Sequence, residues 1–270
     1  MNFPTLDERL PHLDQFICEL VEMYRTGKIN SWDTLDEKVK MFFTPERMEQ
    51  MEAIVPGWKK MASYREGVTL THVMCVFLGM YITSEYLRLT REQQAEMKWV
   101  ILFHDVEKRP QVGKRDHAHA FRSAVNAVRI LPGLGFPTTS EYDSIVDDWD
   151  QFTRSAITKL KNSQDDIQDN QKLPVILNGI EQMFRQNTPA ALIIKTILFH
   201  LSVDMDLWPL PNPLTNDEMK KYFNKDLAAL LLITNLGDND GWTLFDPATR
   251  KNQRDDILDK FEKIEQLLST

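Results

Sequence analysis

The pair His104-Asp105 is the feature of this sequence that most directly suggests chemistry. It ends the apolar segment EMKWVILFHDVEK, in which His104 shares a helical face with Val100 and Ile101. This spacing predicts that His104 is buried. A carboxylate buried beside it needs a charge partner or a metal ion, because an unpaired buried charge is strongly unfavourable. The alternative is that Asp105 lies in solvent at the end of its helix.

Three more residues of these types lie on or beside apolar segments. His72 lies in TLTHVMCVFLGM, His200 lies in AALIIKTILFHLSVD, and Asp238 follows LAALLLITNLG. Taken singly, a histidine such as His72 is more often a core residue than a ligand, His200 is ambiguous, and Asp238 could equally be a cap or turn residue. Taken together, imidazole and carboxylate groups suit Zn, Fe, Mn or Mg.

The segment KRDHAHAFRSAVNAVRIL adds two histidines, of which only one can face a given centre. Residues two apart on a helix point about 200° away from each other. The helical pattern groups His117 with Phe121 and His119 with Ser123. By itself, this pattern slightly favours burial of His117.

Basic residues cluster around these segments in a chain that is acidic overall. The chain has 32 Lys and Arg against 40 Asp and Glu, a net charge of −8. The cluster consists of Arg65, Lys108, Arg109, Lys114, Arg115 and Arg122. Such a cluster could bind the negative charge of a phosphate, or it could be a solvated basic loop.

The elements that must position these residues are predicted to be helices. Apolar residues recur at spacings of three and four, and sustained two-residue alternation is absent. Helix starts are predicted at Thr44-Pro45, Thr90 to Gln93, Thr188-Pro189, Thr215 to Glu218 and Asp246-Pro247. We therefore predict an all-α protein with a helical N-terminal elaboration over residues 1–60. Residues 61–270 are predicted to form the metal-binding part, closed by a C-terminal helix.

Composition excludes several other classes of protein. The chain of 270 residues is 42% hydrophobic and 27% charged, which is typical of globular proteins and not of disordered ones. No apolar run approaches the roughly 20 residues of a membrane span, and no targeting segment is visible, so we expect no membrane partner. The acidic balance argues against a nucleic-acid polymer as partner. Two cysteines cannot form a disulfide framework, which suits the cytoplasm. The sequence leaves a homo-oligomer open.

The order of these residues resembles the HD-domain superfamily of metal-dependent phosphohydrolases. The run from His104 to Lys108 is similar to the HDxGK signature, HAFRSA is similar to the histidine-containing helix of that family, and LLLITNLGDNDG resembles the segment with its final aspartate. The resemblance covers about residues 65 to 245. It departs from the family pattern at Glu107, which stands in place of glycine.

The resemblance implies an HD-domain-like helical bundle that holds metal between its helices. In members with one metal, the ligands would be His72, His104, Asp105 and Asp238. In members with two metals, His119 and His200 would hold the second ion and Asp105 would bridge. The resemblance thus selects His119 over His117. It favours a binuclear site for two divalent ions among Mn, Fe, Co, Mg and Zn.

The activity that the resemblance implies is hydrolysis of a phosphoester by a metal-activated water. The substrate would be a nucleotide or another small phosphorylated metabolite. Asp105 and Lys108 would be catalytic, and Lys108, Arg109, Arg65 and Arg122 would bind the anionic substrate. Two alternatives keep the same fold. One is a mixed-valent di-iron oxygenase with the same six ligands, and the other is a non-catalytic regulatory module, which Glu107 favours.

Overall fold

The computed structural model describes residues 3–109, 115–161 and 165–269 of the chain. Lys114, part of the basic cluster, lies outside these ranges. Helices hold 72% of the residues, so the prediction of an all-α protein is confirmed. The described ranges contain one small antiparallel sheet, in which β1 (Ile157–Lys159) pairs with β2 (Asp166–Gln168).

The α-helices of the described ranges follow one another with short connections. In chain order they are α1 Leu6–Arg9, α2 Pro11–Arg25, α3 Trp32–Phe42, α4 Pro45–Ile54, α5 Trp58–Ser63, α6 Val68–Ile82, α7 Ser84–Arg88, α8 Arg91–Phe103, α9 His119–Leu134, α10 Tyr142–Ser155, α11 Leu173–Phe184, α12 Pro189–Phe199, α13 Asn216–Tyr222, α14 Lys225–Thr243 and α15 Pro247–Leu267. Two 3-10 turns, Tyr64–Gly67 and Asn170–Lys172, precede α6 and α11.

The predicted helix starts are confirmed by their capping contacts. Thr90 caps α8 and Thr215 caps α13, each in a reciprocal box with the residue three positions later. Thr44, Thr188 and Asp246 cap α4, α12 and α15, each directly before a proline. These side chains satisfy backbone N–H groups that the first turn of a helix leaves free.

Helices α6 and α12 lie at the centre of the fold. Thr69 to Met80 in α6 and Ala190 to Phe199 in α12 are buried on every side of the helix, as expected for helices enclosed by others. Helix α14 packs along α6, and α12 packs against α8, α9 and α14. The segments that carry the predicted ligands therefore meet in the interior.

Glycines allow α6 and α14 to approach closely. A Cβ atom at Gly79 would lie 2.4 Å from Cβ of Asp240, and one at Gly241 would lie 2.5 Å from Cε1 of His72. Ordinary carbon contacts are about 3.5–4.0 Å. Only hydrogen fits at these positions, so the two glycines bring His72 and the end of α14 together.

The N-terminal helices pack onto the same core as the rest of the chain. Helices α2 and α3 contact α6, and the Thr71 hydroxyl donates a hydrogen bond of 2.6 Å to Asp36 of α3. Buried apolar residues from Phe3 to Ile264 form one cluster. The division at residue 60 stays a prediction. No helix in the described ranges is both long enough and apolar enough to cross a bilayer.

Candidate metal centre

The six predicted ligands lie on or directly beside five helices whose ends adjoin. They are His72 in α6, His104 and Asp105 directly after α8, His119 at the start of α9, His200 directly after α12 and Asp238 in α14. Asp105 is 1% exposed. The alternative in which Asp105 is a solvated residue at a helix end is therefore wrong.

The ligand atoms form two groups that share one carboxylate. His72, His104, Asp105 and Asp238 offer atoms that all lie within 4.8 Å of one another, and Asp105, His119 and His200 form a second group of the same kind. The two oxygens of Asp105 face different groups. Oδ2 lies 3.5 Å from Nε2 of His72, and Oδ1 lies 2.9 Å from Nε2 of His119. Asp105 is thus placed between two potential ion sites.

Distances in the first group lie near those expected around one cation, with His104 the farthest from the other ligands. Nε2 of His72 lies 2.9 Å from Oδ1 of Asp238, and Nε2 of His104 lies 3.7 Å from Oδ2 of Asp105. Ligand bonds of 2.0–2.2 Å place neighbouring ligand atoms about 3–3.5 Å apart. Several of these buried atoms make no hydrogen bond within the described residues: both ring nitrogens of His72, Nε2 of His104, Oδ1 of Asp105 and Oδ1 of Asp238. Buried polar atoms rarely lack a hydrogen-bond partner. A bound metal ion would give these atoms a partner.

The second group contains two imidazoles whose protonation the backbone determines. Nδ1 of His119 lies 2.5 Å from the carbonyl oxygen of Asp116, and Nδ1 of His200 lies 2.7 Å from that of Ile197. A carbonyl can only accept a hydrogen bond, so Nδ1 carries the proton in each ring. In the neutral rings both Nε2 atoms therefore present lone pairs, and they lie 3.2 Å apart. With both rings in that neutral state, Asp105 adds a third acceptor, and the three groups could hold a cation.

Burial keeps two of the histidines neutral. It lowers the pKa of His200 to about 3, with contributions from His119 and His104. Burial likewise lowers the pKa of His104, whose Nδ1 donates to the carbonyl of Ile101 at 2.8 Å. A neutral imidazole with Nδ1 fixed in this way presents Nε2 as a ligand, the usual arrangement around metals.

Lys108 neutralises the shared carboxylate. Its Nζ lies 2.6 Å from Oδ2 of Asp105. Burial opposes ionisation of both groups, but the pair keeps the pKa of Asp105 well below its usual range and raises that of Lys108. Burial also opposes ionisation of Asp238, yet contact with His72 and the charge of Lys108 lower its pKa. Both aspartates are therefore carboxylates, the form that binds metal.

His72 is oriented differently from the other three histidines. Its Nδ1 makes no hydrogen bond within the described part of the chain. Instead its ring stacks on Trp242, with ring centroids 4.1 Å apart and planes inclined by 17°. Trp242 also stacks on Trp32 from α3 at 5.8 Å. Its indole and the closely fitting Gly241 hold the His72 ring, and sequence reasoning missed both residues.

The basic residues predicted to bind substrate separate into two sets. Lys108 and the exposed Arg65 both lie near Trp242. Nζ of Lys108 is 5.9 Å from the centroid of the Trp242 ring, and the guanidinium carbon of Arg65 is 6.0 Å from it. Arg65 has a left-handed backbone, with φ of 51°, which is costly for a residue with a side chain. Arg109, in contrast, pairs with Glu107 at 2.8 Å. The carboxylate of Glu107 thus has a cationic partner.

Arg122 is buried and pairs with Asp116 through its guanidinium. Asp116 also accepts a hydrogen bond from the backbone N–H of Arg109, and its carbonyl binds His119. Through Asp116, Arg122 thus helps to fix the position of His119. The structure brings Arg122 to Asp116, and its predicted contact with substrate stays a prediction.

The helical-face argument for His117 is wrong. Helix α9 begins at His119, so His117 precedes it and has no helical face. The backbone N–H of His117 instead bonds to the carbonyl of Asp166 in β2. His119 is the residue that joins the cluster, as the resemblance implied. Sequence reasoning also missed Asp116. Its position directly before the two histidines was visible in the sequence, but its pairing with Arg122 could not be inferred from it.

Searches against protein-family models, curated proteins and solved structures found no significant match to this chain.

Proposed function

We propose that this chain is a metal-dependent phosphohydrolase of the HD-domain type that holds two divalent ions. The observation that carries this proposal is the division of the two Asp105 oxygens between the two ligand groups. The opposed Nε2 atoms of His119 and His200, 3.2 Å apart, support a second ion.

The six clustered residues would act as the ligands of the two ions. One ion would be held by His72, His104 and Asp238. The other ion would be held by His119 and His200. Asp105 would be a ligand of both ions. When bound, such ions supply Lewis acidity and lower the pKa of a bound water. Nitrogen and oxygen ligands suit Mn, Fe, Co, Zn or Mg.

Substrate charge would be met by Lys108 and Arg65. Lys108 is the cation nearest the shared carboxylate, and its side chain keeps 22% exposure, so it can contact a ligand from the open side. Arg65 is exposed and lies beside Trp242, whose ring Lys108 also approaches. Fixed cations at a site where negative charge accumulates favour phosphoryl chemistry. The substrate we propose is the phosphoester of a nucleotide or another small phosphorylated metabolite.

The test is metal analysis of the purified protein together with a phosphoester screen in Mn, Fe, Co, Mg and Zn. We expect about two ions per chain and hydrolysis that Lys108→Ala reduces. Lys251→Ala is the matched control, because Lys251 is exposed and pairs with Asp255, one turn further along α15. Oxygen consumption by an anaerobically iron-loaded sample, with no phosphoester turned over, would instead establish the di-iron oxygenase alternative. Metal-free protein without either activity would establish the regulatory module.

A further inference from the structure

A buried ion cluster joins the end of α14 to the C-terminal helix α15. Asp240 of α14 is fully buried. Arg250 donates two hydrogen bonds to its carboxylate, from Nε to Oδ1 at 2.8 Å and from Nη2 to Oδ2 at 2.7 Å. Arg254 donates a third, from Nη1 to Oδ2 at 2.9 Å. Nη2 of Arg254 also lies 3.4 Å from Oε2 of Glu85, so two carboxylates balance the charge of the two guanidinium groups.

Asp240 is also in close contact with α6. Its Cβ would lie only 2.4 Å from a Cβ atom at Gly79, and its carbonyl oxygen accepts a hydrogen bond of 3.5 Å from the thiol of Cys75. Nη1 of Arg254 donates a further bond of 3.2 Å to the hydroxyl of Thr83, directly after α6. Helix α14 therefore cannot turn about its axis without breaking the contacts of Asp240 with both α6 and α15.

This cluster contributes more to geometry than to stability. A buried ion pair stabilises a fold little compared with apolar residues of similar size, because the loss of hydration offsets the attraction. Apolar contacts already dock α15, whose buried residues are Ile257, Phe261 and Ile264. A bidentate guanidinium–carboxylate pair, in contrast, restricts how its two groups can be oriented. A fixed orientation of α14 is what the cluster adds to the apolar packing.

Asp238, two residues before Asp240, has no comparable support of its own. Its Oδ1 makes no hydrogen bond within the described residues, and it lies 2.9 Å from Nε2 of His72, which is itself a ligand. The other three histidines are fixed by backbone carbonyls, and Asp105 is fixed by Lys108. The direction of the Asp238 carboxylate is therefore determined by the orientation of α14.

A small rotation of α14 would be enough to displace this ligand. Residues two apart on a helix point about 200° away from each other, and side chains reach about 5–6 Å from the helix axis. A rotation of roughly 10° would therefore move the Asp238 carboxylate by about 1 Å, whereas a ligand bond is about 2 Å long.

We infer that Asp240, held by Arg250 and Arg254, is a positioning residue that directs Asp238 toward the ion of the first ligand group. By fixing the rotation of α14 on one side, it fixes the ligand on the other. The C-terminal helix is thereby part of the support of the metal centre. This inference rests on the ion sites of the proposed function, and it does not depend on the reaction that the ions support.

The test is the affinity of each Mn ion in variants of the full chain, measured by competition with a chelating indicator. Arg250→Met removes the bidentate pair and keeps an apolar stem. The ion of the first ligand group should bind about tenfold more weakly, as when a ligand loses an outer partner, and the ion of His119 and His200 should change less. Arg250→Lys keeps the charge without the planar fork, so its affinity should lie between those of wild type and Arg250→Met.

Arg129→Met is the matched control for the loss of an arginine from a cluster of the same kind. Nε of Arg129 in α9 lies 2.7 Å from Oδ2 of Asp150 in α10, and Asp150 also pairs with Arg154. One carboxylate thus again binds two guanidinium groups from two helices, but α10 carries none of the six predicted ligands. Arg129→Met should lower stability in urea and leave the affinity of both ions unchanged.

The ratio of the two ion affinities separates a positioning role from a merely structural one. A selective loss of the first ion in Arg250→Met supports the inference even if no phosphoester is hydrolysed. An unchanged affinity for that ion, or an equal loss of both ions, would overturn the inference and leave the phosphohydrolase intact. If urea unfolding shows that Arg250→Met is not folded, Arg250→Lys decides by the same ratio. Wild-type protein that binds no divalent ion would overturn both.

Discussion

Replacing Gly241 with alanine should weaken the first ion site without removing any ligand. The new Cβ would lie 2.5 Å from Cε1 and 2.6 Å from Nδ1 of His72, about 1 Å inside normal contact. His72 is fully buried, and its ring already stacks on Trp242. The ring therefore cannot move away without also moving its Nε2 from the position that faces Asp105 and Asp238.

The expected magnitudes follow from two opposed effects. Overpacking costs roughly 1–3 kcal/mol, whereas alanine in a helix interior is favoured over glycine by up to about 1 kcal/mol. We expect a net loss of about 1–2 kcal/mol in the free energy of unfolding. Displacing a ligand's support typically lowers metal affinity about 10–100-fold. The affinity of one ion should fall by this factor, and that of the ion held by His119 and His200 should change less.

Gly237→Ala is the matched control on the same helix. Its Cβ would lie 3.2 Å from Cγ1 of Val76 and does not meet His72. Urea unfolding measures stability, and competition with a chelating indicator measures the affinity of each ion. If Gly241→Ala binds both ions as tightly as Gly237→Ala, the reasoning about His72 is refuted.

Three further predictions concern individual side chains. Asp105→Asn should lose both ions in metal analysis, because both ligand groups contain Asp105. His200→Ala should retain about one ion per chain and lose most turnover, whereas His117→Ala should change little. Glu96→Gln should raise the free energy of unfolding at pH 7 by roughly 1–3 kcal/mol and leave it unchanged at pH 4. Burial and nearby carboxylates raise the pKa of Glu96 to about 8. Wild-type stability therefore falls as pH rises from the ordinary carboxyl pKa towards 8.

Each of these three has an outcome that would contradict it. Asp105→Asn with one ion fully retained would show that the carboxylate does not bridge. Wild-type protein that saturates at one ion, with His200→Ala fully active, would make the site mononuclear and His200 a core residue. An equal gain for Glu96→Gln at pH 4 and pH 7, measured by urea unfolding, would show that ionisation of Glu96 is not the cause.

The helices and the burial of His104 could be predicted from the sequence because both depend on local pattern, whereas the set of six clustered residues followed from the resemblance to the HD-domain superfamily. Helical periodicity identifies the buried face that carries His104, and capping residues identify where helices such as α8 begin. The same reasoning failed for His117 because it assumed that the helix already covered that position. A backbone bond from His117 to Asp166 in β2 keeps this residue out of α9, and pairing across such a distance in sequence leaves no local pattern.

The support of the site could not be predicted for the same reason. Trp242 stacks on His72, and Gly241 makes room for it, only because α14 crosses α6. Gly79 indicates a close approach of backbone to α6, but the local sequence does not specify that α14 is the helix that approaches. Arg122 shows the converse case: its proximity to the ligands was predicted, but its burial against Asp116 depends on the turn before α9.

The charges of the centre bear on the proposal of two ions. With the imidazoles neutral, as metal ligands must be, Asp105 and Asp238 against Lys108 leave one uncompensated negative charge in the interior. One divalent ion would change the net charge of the centre to +1, and two divalent ions would change it to +3. A phosphate monoester carries nearly two negative charges at neutral pH. Without Arg65, it would leave a one-ion centre with about one negative charge and a two-ion centre with about one positive charge. A one-ion centre would therefore depend on Arg65 to balance the substrate, whereas a two-ion centre would not. The separate ligand group of His119, His200 and Oδ1 of Asp105 provides the place for that second ion.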